Sequence, residues 1–225
     1  MNAPIAMVVG AGGVLGEALC AEFLDAGYRV AGLRRSTSGE RAAHIVSCDL
    51  ENPLSVWRVA HEVVVREGPV DVVICNAAHL KIAPFNELAF EDLDTSWRAG
   101  VGTAFGALRA VLPAMLDRKS GSVIITGATG SMRGSAKFSA FAASKFALRG
   151  LAQSLAREHQ ADGIHVAHVI IDGLLRGSQS AARAGARPEQ CIDPRVVATQ
   201  YRSLAEQPAN AWTHEIDLRP NVGRF

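Results

Sequence analysis

Short, almost wholly apolar runs alternate with longer amphipathic stretches along most of the chain. The apolar runs are residues 5–9, 28–33, 44–48, 70–75, 122–126 and 165–171. Runs that are apolar at nearly every position suit strands buried on both faces, as in a parallel sheet. Between them, residues 14–26, 53–66, 95–118 and 140–160 carry helical spacing. Alternation at this spacing predicts right-handed βαβ units: a doubly wound parallel α/β sheet with helices on both faces. The tail is less regular, with a helix predicted over 194–206 and a last strand over 212–218. The stretch 174–192, rich in Ala, Gly, Ser and Arg, reads as a small mobile lid. No internal repeat, linker or second domain is visible, so the expectation is one domain over 1–225.

Composition narrows the partners. The chain has 225 residues, 48% of them hydrophobic, and 23 basic against 22 acidic side chains. A net charge of +1 excludes a strongly basic nucleic-acid arm and an acidic disordered tail. Cys20, Cys48, Cys75 and Cys191 form no CxxC pair, so they read as reduced, mostly buried thiols of a cytoplasmic protein. The start, Met1-Asn2-Ala3-Pro4, lacks the basic region of a signal peptide. No apolar run approaches the roughly 18 residues that span a membrane.

The candidate chemistry begins after the first strand, at Gly10-Ala11-Gly12-Gly13-Val14-Leu15-Gly16. Glycines at a strand-to-helix turn let backbone approach a pyrophosphate, and the helix N-terminus offers N–H groups and a positive dipole end. An NAD-binding version needs an acid at the end of the second strand to hold the ribose hydroxyls. Here that place reads Leu33-Arg34-Arg35. Two guanidiniums suit the 2′-phosphate of NADP instead, so NADP(H) is expected over NAD(H). Asp49, after the third strand, suits either an adenine amino group or an N-cap of the next helix.

These residues resemble the short-chain dehydrogenase/reductase family from Pro4 to about Leu218. The likeness rests on the glycine loop, Asp49-Leu50, Cys75-Asn76-Ala77-Ala78, Ala110-Val111-Leu112-Pro113-Ala114-Met115, Phe141-Ala142-Ala143-Ser144-Lys145 and Asp172-Gly173. It implies a Rossmann-like NAD(P)-binding domain, a nicotinamide cofactor and a homodimer or homotetramer built on two long helices. Carried over residue by residue, the cofactor set is Gly10, Ala11, Gly13, Val14, Leu15, Gly16, Arg34, Arg35, Asp49, Leu50, Asn76, Ala77, Ala78, Lys145, Asp172 and Gly173.

The resemblance breaks where the family does its chemistry. The family uses an Asn, a Ser, a Tyr and a Lys. Only Lys145 is kept; the other three positions fall at Gly100, Ala128 and Phe141. Phe141 keeps the ring but has nothing to ionise, and Ala128 cannot donate to a carbonyl. Val14 also stands where the family has the middle glycine of its loop. Thr126 and Thr129 flank the vacant Ser position, and Ser131, Ser139 and Ser144 are nearby in sequence, with Thr129 and Ser144 as candidate substitute donors; His79 and Lys81 follow the fourth strand, at the carboxyl edge of the sheet. Asp172, in place of a Pro, reads either as a polar anchor for substrate or amide or as a helix cap.

His214 and Glu215 are neighbours on the last predicted strand, so they face opposite ways and do not form a pair. The expected activity is an NADP(H)-dependent oxidoreductase acting on a small molecule through a non-standard site. A non-redox isomerase, dehydratase or cyclase, and a cofactor-binding sensor or partner subunit without turnover, stay open beside it. Helices 95–118 and 140–160 carry apolar positions on more than one stripe, which predicts self-association.

Overall fold

The computed structural model describes residues 3–36 and 44–222. Among these residues seven parallel strands form one sheet in the order β3-β2-β1-β4-β5-β6-β7. They are β1 (Ile5–Val9), β2 (Arg29–Arg34), β3 (His44–Ser47), β4 (Val72–Cys75), β5 (Gly121–Thr126), β6 (Ile164–Ile171) and β7 (Glu215–Leu218). The order reverses between β1 and β4, where open α/β sheets place their ligands. There Val9 stands opposite Leu33 on one side and Cys75 on the other.

Helices cover both faces, as the unbroken apolar runs predict. On one face α1 (Gly13–Asp25) and α7 (Pro194–Ala205) bury Leu19, Phe23, Tyr201 and Leu204 against Val8, Ile74 and Ile124. On the other, α2 (Pro53–Glu67), α4 (Thr103–Arg118) and α5 (Ser139–His159) bury Val56, Val63, Val111, Met115 and Leu148 against Met7, Val73 and Ile125. The shorter α3 (Phe90–Trp97) precedes α4, and α6 (Gln179–Arg183) lies between β6 and α7.

Three elements differ from their sequence pattern. The helix expected over 95–118 starts at Phe90, where Asp92 accepts from the Ala89 N–H at 3.0 Å and secures an earlier first turn. It also carries a π-helical turn, Arg98–Gly102, between α3 and α4. Glycines allow the tight crossing that follows: a Cβ on Gly106 would lie 2.4 Å from the Pro53 carbonyl oxygen at the start of α2. This Phe90–Arg118 run is long and apolar enough to cross a membrane, contrary to the sequence expectation. More than half of its most apolar window is buried inside the fold, as in a core helix.

The last strand begins at Glu215 rather than at 212. Ahead of it, the Thr213 N–H donates to the Gln207 side chain at 2.7 Å instead of to a strand neighbour. The stretch 174–192 contains α6 and returns to the body through a parallel bridge between Leu175 and Ile192.

Candidate functional site

The β1–α1 turn is built from backbone. Gly10 has φ +93°, and its N–H and that of Ala11 donate to the Leu33 carbonyl at 2.9 and 3.0 Å. A Cβ on Gly10 would lie 2.6 Å from the Ala77 nitrogen, and one on Gly16 would lie 2.4 Å from the Gly10 oxygen. Asn76 fastens the end of β4 to the loop, its Nδ2 donating to the Gly10 carbonyl at 2.9 Å. Ala77 is partly buried beside it and Ala78 is exposed. Helix α1 then starts at Gly13 behind an N-cap glycine, with no side chain capping its first N–H groups. The turn therefore presents donors and open space, a cradle that fits a dinucleotide pyrophosphate.

The two arginines after β2 go different ways. Arg34 is the last strand residue, is 8% exposed, and folds over the loop with Cδ 3.9 Å from where a Cβ on Gly12 would be. Its Nη1 is 3.9 Å from Glu17 Oε1. Arg35 points outward, 3.8 Å from Glu51. Arg34 lines a groove of about 810 Å³ together with Ala11, Val14, Glu17, Arg176 and Arg195. Leu15 is buried in the core beneath the loop. Asp49 spends one oxygen on the Glu51 N–H at 3.0 Å, while Asn52 caps α2. The Leu50 carbonyl accepts from the Thr103 hydroxyl.

The β5–α5 turn is built from side chains. Lys145 is 3% exposed, and its Nζ donates to the Thr126 carbonyl at 2.8 Å and sits 5.7 Å from the centre of the Phe141 ring. Burial pushes its pKa down to about 8. Phe141 is partly exposed, with a ring edge 3.3 Å from where a Cβ on Gly130 would be. Ala128 donates its N–H to the buried Ser131 hydroxyl at 3.2 Å. The Thr129 hydroxyl donates to Asp172, which also lies 3.8 Å from Arg133 and 3.7 Å from Arg219. Gly173 must lack a side chain, because a Cβ there would lie 2.9 Å from Pro220.

Ser144 does not reach this turn. It is buried and donates to the Ser96 carbonyl at 3.0 Å. Its Oγ would lie 2.3 Å from a Cβ on Gly100, so Ser144 fills the space that a side chain at 100 would take. Lys81 pairs with Asp92 at 3.6 Å, away from Lys145's contacts.

One constellation was not visible along the chain. His168 and Glu215 stand directly opposite on β6 and β7. His168 Nδ1 is 2.9 Å from Glu215 Oε2, and Arg149 of α5 holds both Glu215 oxygens at 2.7 and 2.8 Å. Burial pulls the His168 pKa down against the upward effect of Glu215. Burial also pushes the Glu215 carboxyl up, but Arg149 and His168 together outweigh it and hold it below its usual range. The available signal was two histidines, His165 and His168, inside an otherwise apolar strand. The adjacent His214 goes elsewhere, with its Nδ1 3.0 Å from the Val166 carbonyl.

The sequence profile described as short chain dehydrogenase matches residues 4–183. The chain belongs to the short chain dehydrogenase family. It is 30% identical over 163 residues to "Oxidoreductase UcpA" of Escherichia coli (strain K12), covering 72% of this chain and 60% of that protein. This chain thus spans about three-fifths of that relative's length. A solved short-chain dehydrogenase from Rhodopseudomonas palustris superposes with a TM-score of 0.82 at 31% identity, over 98% of this chain and 100% of the other. A metagenomic short-chain oxidoreductase in complex with NADP also gives 0.82, at 25% identity and 98% coverage of each chain.

Proposed function

We propose that this family member binds NADP(H) and is an oxidoreductase that works without the family's tyrosine. The observation that carries the reading is the cleft's retained cofactor end. The uncapped first turn of α1 lies under Arg34, and Lys145 is held beside the sheet edge. The family's ribose-holding role fits Lys145. Bound NADP(H) would supply the hydride chemistry. The chain's own part is to cradle the phosphates, to bring Arg34 to the 2′-phosphate, and to aim the Lys145 ammonium along the cleft. Asn76 and Ala77 fix the loop, and the 172–173 turn closes the far side.

The reacting end supports a substrate whose new charge is met by water or by Thr129. In place of the family's Tyr and Ser stand Phe141 and Ala128, neither of which carries a proton to give. The Thr129–Asp172 pair offers a hydroxyl at the same edge. A second reading, a cofactor-binding protein without turnover, draws on Ser144 packing into the space beside Gly100. We also place self-association on α4 and α5, where Phe105 and Phe146 are exposed beside a depression of about 210 Å³ lined by Leu108, Leu112, Pro113, Leu151 and Leu155.

The deciding experiment is titration with NADPH and, separately, NADH, followed by energy transfer from Trp57, Trp97 and Trp212. NADPH is expected to bind at least about tenfold more tightly, since one charge-assisted phosphate contact is worth about 1.5–3 kcal/mol. Equal or tighter binding of NADH overturns the Arg34 assignment, and no binding of either cofactor overturns the oxidoreductase reading.

A further inference from the structure

The buried chain Arg149–Glu215–His168 ends on an open nitrogen. His168 is fully buried, its Nδ1 is engaged by Glu215, and its Nε2 has no hydrogen-bond partner among the described residues. That nitrogen lies against Gly127: a Cβ there would be 2.3 Å from Nε2 and 3.0 Å from the Ser131 hydroxyl oxygen. Residue 127 must therefore lack a side chain for the ring to sit here. Lys145 arrives at the same peptide from α5, with its Nζ on the Thr126 carbonyl. Ring and ammonium thus flank the Thr126–Gly127 link from two elements.

A buried nitrogen left bare costs free energy, so its retention calls for a reason. With Nδ1–H donated to Glu215, Nε2 carries a lone pair toward Gly127 and Ser131, at the turn whose Thr126 carbonyl holds Lys145. The negative end of that dipole favours a charged lysine in a setting where burial otherwise favours a neutral one. A proton on Nε2 reverses this by placing a second desolvated cation beside the first.

We propose that His168 is a positioning residue for Lys145: its neutral ring, anchored by Glu215 and Arg149, keeps the ammonium charged and fixed, and protonation of the ring loosens the cofactor's hold. The inference rests on the cofactor reading above. The charged groups facing His168 are Lys145 and Arg149 from α5 and Glu215 from β7. The β5 end and the following turn contribute only Gly127, Ser131 and the Thr126 carbonyl. His165, three residues back on β6, points to the other face and stacks on Trp212.

The test measures the affinity of NADP+, the acid-stable form, between pH 7.5 and 4.5 in the wild type and in His168→Asn. The 2′-phosphate titrates near pH 6 and weakens both proteins alike. The wild type is expected to lose about tenfold more affinity than the variant, the change that one pKa unit of coupling produces. Coincident profiles overturn the proposal. If His168→Asn does not fold, Glu215→Gln serves instead. Removing the anion lowers the His168 midpoint, so the acid loss must move to lower pH; an unmoved loss counts against the proposal. A second readout needs no cofactor. The ¹⁵N titration of His168 must shift upward in Lys145→Met, and an unshifted midpoint overturns the coupling. If the wild type binds no NADP+ at any pH, the cofactor reading fails and this titration alone decides the inference.

Discussion

The β1–α1 turn and the β5–α5 turn stand at the same edge of the sheet and are made of different material. At the first, glycines and main-chain N–H groups do the work, and the Asn76 side chain only fastens them. At the second, side chains make the bonds: Ser131 to the Ala128 N–H and Lys145 to the Thr126 carbonyl, and Thr129 to Asp172 and Glu215 to His168 side chain to side chain. A binding site written in backbone survives any substitution that keeps the backbone's path. A catalytic site written in side chains changes with each residue. On the proposed reading, this is how a chain would keep a cofactor cradle while its reacting end departs from the family's pattern.

The sharpest break of that contrast is to rewrite the second turn. Phe141→Tyr with Ala128→Ser restores a hydroxyl pair without touching the first turn. A positioned general acid contributes about 10²–10⁴-fold, so the double variant is expected to oxidise NADPH with a panel of simple aldehydes at least about 10²-fold faster than the wild type. The rate is read from absorbance at the nicotinamide band. If no rate appears while NADPH still binds, the pocket has been rebuilt for something other than carbonyl reduction.

The converse variant attacks the backbone turn. Gly10→Ala places a side chain at φ +93° and drives its Cβ to 2.6 Å from the Ala77 nitrogen. A left-handed conformation costs an alanine about 1–2 kcal/mol. The overlap with a main-chain atom brings the expected loss to about 2–5 kcal/mol, measured by urea unfolding. NADPH binding should fall with it. A variant that binds and unfolds as the wild type does would show that the turn relaxes freely and is not a fixed cradle.

Much of the first turn was readable in the chain, because glycine positions and strand ends are local signals. Even there the pair Arg34-Arg35 was not resolved. Strand β2 runs one residue past Leu33, so Arg34 turns over the loop and Arg35 turns to solvent. The second turn was less legible. Its decisive pairs join residues 19, 43 and 47 positions apart, and no periodicity encodes such contacts. His214 and Glu215, as neighbours along the chain, do face opposite ways. Glu215 meets a histidine on the next strand instead, a contact no local pattern encodes, because register between β6 and β7 is set by the whole sheet.

Lys145 belongs to the second turn, and its burial sharpens the comparison through pH. The folded pKa of about 8 lies below the ordinary 10.5. Between those values the unfolded chain holds a proton that the folded chain has released, so this group's contribution to stability rises with pH across the window. Below it, the buried charge costs about 3 kcal/mol. Lys145→Met removes that cost and one hydrogen bond, so the apo protein at pH 7 is expected to gain about 1–2 kcal/mol. Cys20 and Cys75, pushed up to about 11 and about 12, act in the opposite direction above pH 9 but equally in both proteins. The difference between wild type and variant therefore isolates the lysine. The same variant should weaken NADPH about 10–100-fold, the worth of a charge-assisted hydrogen bond. A variant that is less stable at pH 7 would show that Lys145 holds the fold rather than the ligand.

The smallest expected effect lies at Asp49, a carboxylate that the turn already uses. One oxygen already accepts the Glu51 N–H at 3.0 Å, and Asn52 rather than Asp49 caps α2. Asp49→Ala therefore removes a turn hydrogen bond worth about 0.5–1 kcal/mol. Its second oxygen has the reach to take an adenine amino group only if the turn stays as it is. If Asp49 serves the turn alone, NADPH affinity changes less than about twofold while the urea midpoint drops slightly. If it also reads the base, affinity falls by about fivefold, one ordinary hydrogen bond, and inosine-containing NADPH, which lacks the amino group, binds wild type and variant equally. The analogue separates the two roles even where both effects are small, because it deletes the base contact and leaves the turn untouched.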